Sequence, residues 1–252
     1  MKALIINLPR HSSRRQLMER SIKDTPFDSY EFVDGVDARA MTERQRREAF
    51  DYAGFASIHL IPPGVGEVGC ALAHRKAWQR VAELGEPAAV LEDDLRFESD
   101  WDGIQEFADE WLSTDEPRAL LLPRHFFYRR AEAAGERHIA EPYNCYGGEF
   151  YMLNTAGAKL LLGLGRPHFV ADDWDYYRKN GLTVRALFPH PVIVDDGGVS
   201  SIGGHIHERM DWDGAARSVN PGVMLFDFYH MLGLVIGFRT GFLKRYLSIS
   251  EL

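Results

Sequence analysis

The chain has 252 residues, enough to bury a core as one large domain or as one domain with a small appendage. Hydrophobic residues make up 45% and charged residues 26%, the profile of a soluble globular protein, and the formal net charge is -8. That acidity excludes a general nucleic-acid binder, and it requires any phosphorylated substrate to meet placed arginines or a bound metal.

Residues 3–8 form a short apolar run closed by Pro9, which predicts a buried strand at the start of an α/β fold. The run is too short for the apolar region of a secretory signal, and no stretch reaches the roughly 20 apolar residues of a membrane span, so a cytoplasmic protein is expected. Ser13 and Gln16 have capping-box spacing, predicting a helix with Leu17 and Ile22 turned inward. A second strand is read over 30–33. Thr42 and Gln45 repeat the capping spacing and open a charged helix to about residue 52. After the break at Pro62-Pro63-Gly64, a strong helix is predicted over 67–84, with Cys70, Ala73, His74, Ala77, Val81 and Leu84 on one face.

A short buried strand over 88–91 then delivers Glu92-Asp93-Asp94 at its carboxyl end. A helix near 101–112 and a strand over 119–122 follow, then a polar, Arg-rich segment through Arg137. A strand is read over 149–153, a helix capped by Thr155 through 162, and strands over 183–187 and 192–194. This alternation predicts a single α/β domain with a mixed, mostly parallel sheet covered by helices. Residues 223–252 are set apart from a catalytic unit over 1–222: they read as a helical tail rich in Leu, Phe and Tyr with late cations, packed on the domain or lying on an anionic membrane. Cys70 and Cys145 lack metal-ligand or redox spacing and are read as buried small hydrophobes.

Three successive carboxylates after a buried strand repel one another, and ordinary packing gives no reason for them. Ligands of open α/β sheets bind beyond the carboxyl ends of strands. Glu92 and Asp94, two residues apart in an extended segment, are expected to face one hard divalent cation of the Mg²⁺ or Mn²⁺ kind. Asp172-Asp173-Trp174-Asp175 offers a general base, or else an acidic helix start stabilised by the helix dipole. Arg10, Arg14 and Arg15 follow the first strand, where arginines pair with phosphate or stack on a base, or are simply solvated. His205 and His207 lie in a polar segment, 199–207, that either closes over a ligand and meets the metal or is surface loop.

These pieces together resemble glycosyltransferase family 25, which includes lipopolysaccharide, lipooligosaccharide and collagen galactosyltransferases. The resemblance is carried by Asn7, Leu8, Arg10 and Arg14-Arg15; by Gly66-Glu67-Val68-Gly69-Cys70-Ala71-Leu72-Ala73-His74; by Leu91-Glu92-Asp93-Asp94-Leu95; and by Gly148 onward with Ala171-Asp172-Asp173. Ala73 stands where the family usually has serine before its histidine.

The resemblance implies a GT-A-like fold, a UDP-sugar donor with galactose favoured, Mn²⁺ ahead of Mg²⁺, and inversion at the anomeric carbon. It implies Glu92 and Asp94 as metal ligands and Asp172 or Asp173 as the base. Asn7, Leu8, Arg10, Arg14, Gly69, His74 and Asp93 become the donor-binding set. A glycan acceptor such as lipopolysaccharide or lipooligosaccharide core is expected, at the inner face of the cytoplasmic membrane if the tail docks there. Two rivals stand beside this reading. A nucleotidyltransferase that makes nucleotide sugars would need a Gly-rich loop where Pro9-Arg10-His11-Ser12 stands; a non-catalytic glycan-binding protein would have no use for the acidic triplet.

Overall fold

The computed structural model of the chain describes residues 1–59, 62–145, 147–195, 232–233, 235–237 and 239–247. The opening strand β1 (Lys2–Asn7) lies between β2 (Ser29–Asp34) and β3 (Ala88–Glu92), parallel to both. Across the sheet follow β8 (Phe150–Leu153), antiparallel to its two neighbours, then β5 (Arg118–Leu121) and β9 (Thr183–Phe188), parallel to each other. The antiparallel strands β7 (Arg137–Cys145), β6 (His125–Ala134) and β11 (Lys244–Leu247) complete a mixed sheet of nine strands among the described residues. A separate pair joins β4 (Leu95–Phe97) to β10 (Val192–Val194). The expected α/β class with a helix-flanked mixed sheet is what the chain adopts.

Helices cover both faces, so the central strands have no polar side and read as unbroken apolar runs. The alternation is visible in where each side chain goes. Leu4, Ile6, Ala88 and Val90 pack into one core with Ala77, Trp78 and Val81 of α4 (Val65–Leu84). Ala3, Ile5, Ala89 and Leu91 enter the opposite core with Met18 of α1 (Ser12–Ser21) and Ile104 and Ala108 of α5 (Ile104–Leu112). A third, smaller core gathers Phe50, Phe55, Val68 and Ala71 under α2 (Glu43–Ala49) and α3 (Tyr52–His59).

Several local expectations change. Helix α1 starts at Ser12 without a side-chain cap, and its buried stripe is Met18 and Ile22, so Leu17, about 100° away around the helix, is 59% exposed. The Thr42–Gln45 capping box is present, but the helix ends at Ala49 because Phe50 turns extended and buries its ring. Helix α6 (Thr155–Gly163) is capped by Asn154 rather than Thr155. The Asn154 oxygen accepts from the Gly157 and Arg118 N–H groups, and its amide donates to the Thr114 and Glu116 carbonyls, tying α6 to the start of β5. The Arg-rich segment through Arg137 is the β6–β7 hairpin, and 192–194 pairs with β4 outside the main sheet. Of the tail, Lys244–Leu247 is an edge strand instead of helix, residues 232–233, 235–237 and 239 are helical, and 223–231 lie outside the described residues.

His190, in the turn between β9 and β10, clamps this end of the sheet in a fixed tautomer. Its Nε2 lies 2.9 Å from the Pro123 carbonyl and can only donate there, while Nδ1 accepts from the Val192 N–H. A ring used as donor on one side and acceptor on the other is neutral, and burial holds its pKa down to about 4. The unfolded chain takes up this proton at its ordinary value near 6.5, so stability is complete above that pH and is lost as pH falls toward 4. The loss is on the order of 1–3 kcal/mol. Thermal unfolding at pH 7 and pH 4.5 should show a fall in Tm several degrees larger for wild type than for His190→Gln; equal falls would remove His190 from the account.

Candidate active site

The strand alternation that sorts the two cores also aims the acidic triplet. Glu92 continues the parity of Ala88 and Val90, toward α4, while Asp93 continues that of Ala89 and Leu91, toward α1. On the α4 side Glu92 meets His74, whose Nε2 is 3.2 Å from its Oε1. On the α1 side Asp93 accepts from Arg14 at 2.9 Å and from the Asn7 amide at 2.6 Å. Arg14, Met18 and Ile22 share one helical stripe, so the burial of α1 itself delivers the guanidinium to the strand end.

The His74 contact belongs to a chain of hydrogen bonds. The Trp78 indole can only donate, and it gives its N–H to the Tyr151 hydroxyl oxygen at 2.8 Å. The Tyr151 hydroxyl, fully buried, lies 2.9 Å from His74 Nδ1. Because a carboxylate can only accept, His74 Nε2 donates to Glu92. Trp78 and His74 are four residues apart on α4, so one helix face supplies both ends of the relay, and β8 supplies the middle.

Within the triplet the alternation gives out, because Asp93 and Asp94 form a turn. Asp94 consequently sits 3.5 Å from Arg14, with one carboxylate oxygen buried and without a hydrogen-bond partner among the described residues. Burial first, and then the neighbouring Glu92 charge, push its pKa up to about 6. Glu149, whose carbonyl accepts the Glu92 N–H, is pushed up to about 7, again chiefly by burial. Carboxylates gathered this closely form a site of surplus negative charge beside one guanidinium.

A cavity of about 90 Å³ opens at the carboxyl ends of β1 and β3. Of the residues expected to bind a donor, its wall includes Leu8, Arg10, Arg14, Gly69, His74 and Asp93, together with the expected metal ligand Glu92. Arg10 pairs with Asp37 across its mouth. Gly69 is there for closeness: a Cβ would sit 2.6 Å from the Val36 carbonyl, so a side chain would drive α4 off the loop after β2. Asn7 stands behind the wall and Asp94 to one side of it. Cys70 is no inert core thiol: it is partly exposed, lines the cavity and has Sγ 4.0 Å from Glu92, while Cys145 is buried as expected.

Asp172 and Asp173 approach from a second direction, and the structure separates them. Asp173 Oδ1 accepts the Tyr176 N–H and caps α7 (Trp174–Lys179). Asp172 Oδ2 accepts the Gly147 N–H at 2.7 Å, and burial raises its pKa. A Cβ on Gly148 would lie 3.4 Å from both the Asp172 Cβ and the His74 ring, which places Gly148 in van der Waals range of the two side chains. Neither Asp172 nor Asp173 lines the cavity. Tyr151, Trp78 and Glu149 were not singled out from sequence; the signals were the four-residue spacing of Trp78 from His74 and the Gly147-Gly148 pair preceding Glu149. His205 and His207 lie outside the described residues.

Two donor sets bear on a metal. Cys70, His74 and Glu92 offer ligand atoms within 4.8 Å of one another. Both His74 nitrogens are already bonded, however, and burial pushes the Cys70 thiol well up, so that trio fits a hydrogen-bonded cluster better than a cation. Glu92 and Asp94 supply oxygen only, and the unpartnered Asp94 oxygen is a vacant lone pair of the kind a hard cation takes.

Removing the Tyr151 hydroxyl tests the relay. Tyr151→Phe strands the Trp78 N–H and His74 Nδ1 in the core, a loss of about 2–4 kcal/mol in urea unfolding. A loss under about 0.5 kcal/mol would show that the relay contributes nothing.

Comparison with known proteins shows the family of the chain. The sequence model of Glycosyltransferase family 25 (LPS biosynthesis protein) matches residues 1–164. Procollagen galactosyltransferase 1-A of Xenopus laevis is 34% identical over 185 residues, covering 64% of this chain and 28% of that protein. "Probable inactive glycosyltransferase 25 family member 3" of Bos taurus is 30% identical over 176 residues, covering 64% and 28%. The chain thus spans a little over a quarter of the length of these curated relatives. Among solved structures, a galactosyltransferase in complex with donor and acceptor sugar analogs aligns at TM-score 0.34 and 12% identity, covering 73% of each chain.

Proposed function

The chain belongs to glycosyltransferase family 25, and from that premise we propose that it transfers a hexose from a nucleotide-sugar donor to a glycan acceptor. The observation that carries the reading is the convergence of Glu92 and Asp93 with Arg10 and Arg14 on one cavity at the strand ends. We favour UDP-galactose as donor, on the galactosyltransferase name of the Xenopus relative, and a lipopolysaccharide or lipooligosaccharide core as acceptor, on the family's association with LPS biosynthesis.

Glu92 and Asp94 are the residues that would hold a divalent cation, manganese ahead of magnesium, which when bound neutralises charge on the leaving diphosphate. Arg14 and Arg10 add cationic donors beside the same phosphates. His74, fixed by Tyr151, orients Glu92. Leu8 and the backbone around Gly69 shape the wall against which the nucleotide rests. Asp172 is the base, accepting the proton of the acceptor hydroxyl as that oxygen attacks the anomeric carbon in one inverting displacement. Its raised pKa supports that role, whereas Asp173 is committed to capping α7.

The division into a catalytic unit over 1–222 and a tail over 223–252 is part of this proposal, as is peripheral membrane contact. Leu232, Val235 and Ile236 are 39%, 47% and 51% exposed at helical spacing, with Arg239, Lys244 and Arg245 following. An apolar stripe bordered by cations suits the surface of an anionic membrane, here the inner face of the cytoplasmic membrane. No helix among the described residues is long and apolar enough to cross a membrane.

The inactive name of the Bos taurus relative favours one rival, a glycan-binding protein without turnover. Release of nucleotide from a panel of nucleotide sugars, with and without Mn²⁺, separates the two. Turnover is expected, with Asp172→Asn lowering transfer by roughly 10²-fold or more. Asp173→Asn, whose amide oxygen can still cap α7, should stay within a few-fold of wild type. Equal losses in both variants would overturn Asp172 as base, and absence of release from every donor would leave the non-catalytic reading.

A further inference from the structure

A second concavity, about 970 Å³, lies away from the donor cavity, between the β6–β7 hairpin and α7. Its charge runs against that of the whole chain. Arg129, Arg130, Arg178, Lys179 and Arg185 line it, against Glu132, Glu141 and Asp175, so five cations face three carboxylates in a protein of net charge -8. The carboxylates are matched: Arg178 pairs with Glu141 and Asp175, and Arg185 lies 3.8 Å from Glu132. The surplus of two therefore falls on Arg129 and Arg130, both exposed.

The backbone is built to present these two together. Consecutive residues of a regular strand point to opposite faces, but the β6–β7 register shifts between Tyr128 and Ala131, and Arg129 and Arg130 both line the groove. Arg129 lies over two rings, 5.2 Å from the Tyr143 centroid and 4.7 Å from that of Phe242. Phe242 is 58% exposed, a large aromatic face held in water beside cations. Flat aromatic faces take the C–H faces of sugar rings, and arginine takes phosphate or carboxylate.

The groove also leads to the proposed base. Its walls are the end of β7 and the first turns of α7, and the same two segments meet at Asp172, which accepts from Gly147 just beyond β7. Arg178 donates to the Pro142 carbonyl at 2.7 Å, and the Trp174 indole donates to the Gly147 carbonyl at 2.9 Å, closing α7 onto that strand end.

We propose that this groove is the acceptor subsite and that it takes an anionic saccharide, a sugar bearing a phosphate or a carboxylate. The assignment as an acceptor site rests on the glycosyltransferase reading; the binding of an anionic sugar does not. The cations hold the anionic substituent, the Phe242 and Tyr143 rings hold the sugar face, and the saccharide's far end extends toward Asp172.

The test is direct binding to the full chain without donor, by ligand-observed saturation-transfer NMR at low salt. The probes are glucose 6-phosphate, glucuronate and methyl glucoside. The anionic sugars should bind at least tenfold more tightly than the neutral one, and the stronger of the two names the substituent. Arg129→Glu and Arg130→Glu, both at exposed positions, should each weaken anionic binding at least fivefold. Equal binding of methyl glucoside, anionic binding untouched by both reversals, or tighter binding of a single-stranded oligonucleotide would overturn the proposal. Equal affinity for inorganic phosphate would do so as well, because the sugar would then add nothing. Nucleotide release does not enter this measurement, so a chain without turnover that binds these sugars would refute the glycosyltransferase reading and leave the groove's chemistry standing.

Discussion

The arrangement at the strand ends depends on one buried hydrogen-bond chain, Trp78 to Tyr151 to His74 to Glu92. An indole N–H can only donate and a carboxylate can only accept, so Tyr151 accepts at one end of the chain and His74 Nε2 donates to Glu92 at the other.

The rest of the fold supplies this chain with its members. Helix α4 carries Trp78 and His74 on the face that also packs Ala77 and Val81 into the core, so the same burial that stabilises the sheet positions the imidazole. Strand β3 then splits its terminal acids between two faces: Glu92 toward His74 and Asp93 toward Arg14 and Asn7. One acid is thereby oriented by an imidazole N–H and the other fixed by a guanidinium. Asp94, in the turn, is left with an unpartnered oxygen among the described residues and a raised pKa. Gly69 acts by absence, letting α4 touch the loop after β2.

Much of this was legible in sequence where burial sets a period. The central strands, α4 and the position of the acidic triplet at a strand end all follow from apolar runs and helical spacing. What failed were places where a tertiary contact overrides a local signal. Ser13 and Gln16 have the spacing of a capping box, yet the burial of Met18 and Ile22 sets the helix phase and leaves Leu17 in water. Thr155 stands one residue after the true cap, because Asn154 also serves the β5 start. The β6–β7 hairpin was invisible since its exposed arginines carry no apolar alternation. The two-residue rule that put Glu92 and Asp94 on one face holds only in extended chain, and the chain turns at Asp93. The four-residue spacing of His74 and Trp78 was readable; that Tyr151 would join them was not, because only the sheet pairing of β8 brings it there.

The account's central claim is that Glu92 and Asp94 at the end of β3, held by the relay and by Arg14, form the seat of a metal-bound nucleotide diphosphate. Calorimetric titration of UDP into the full chain, with Mn²⁺ and with chelator, tests this most directly. The account predicts binding that depends on Mn²⁺ and weakens at least tenfold in Asp94→Asn. Binding of equal strength with chelator, unchanged in the variant, would contradict it.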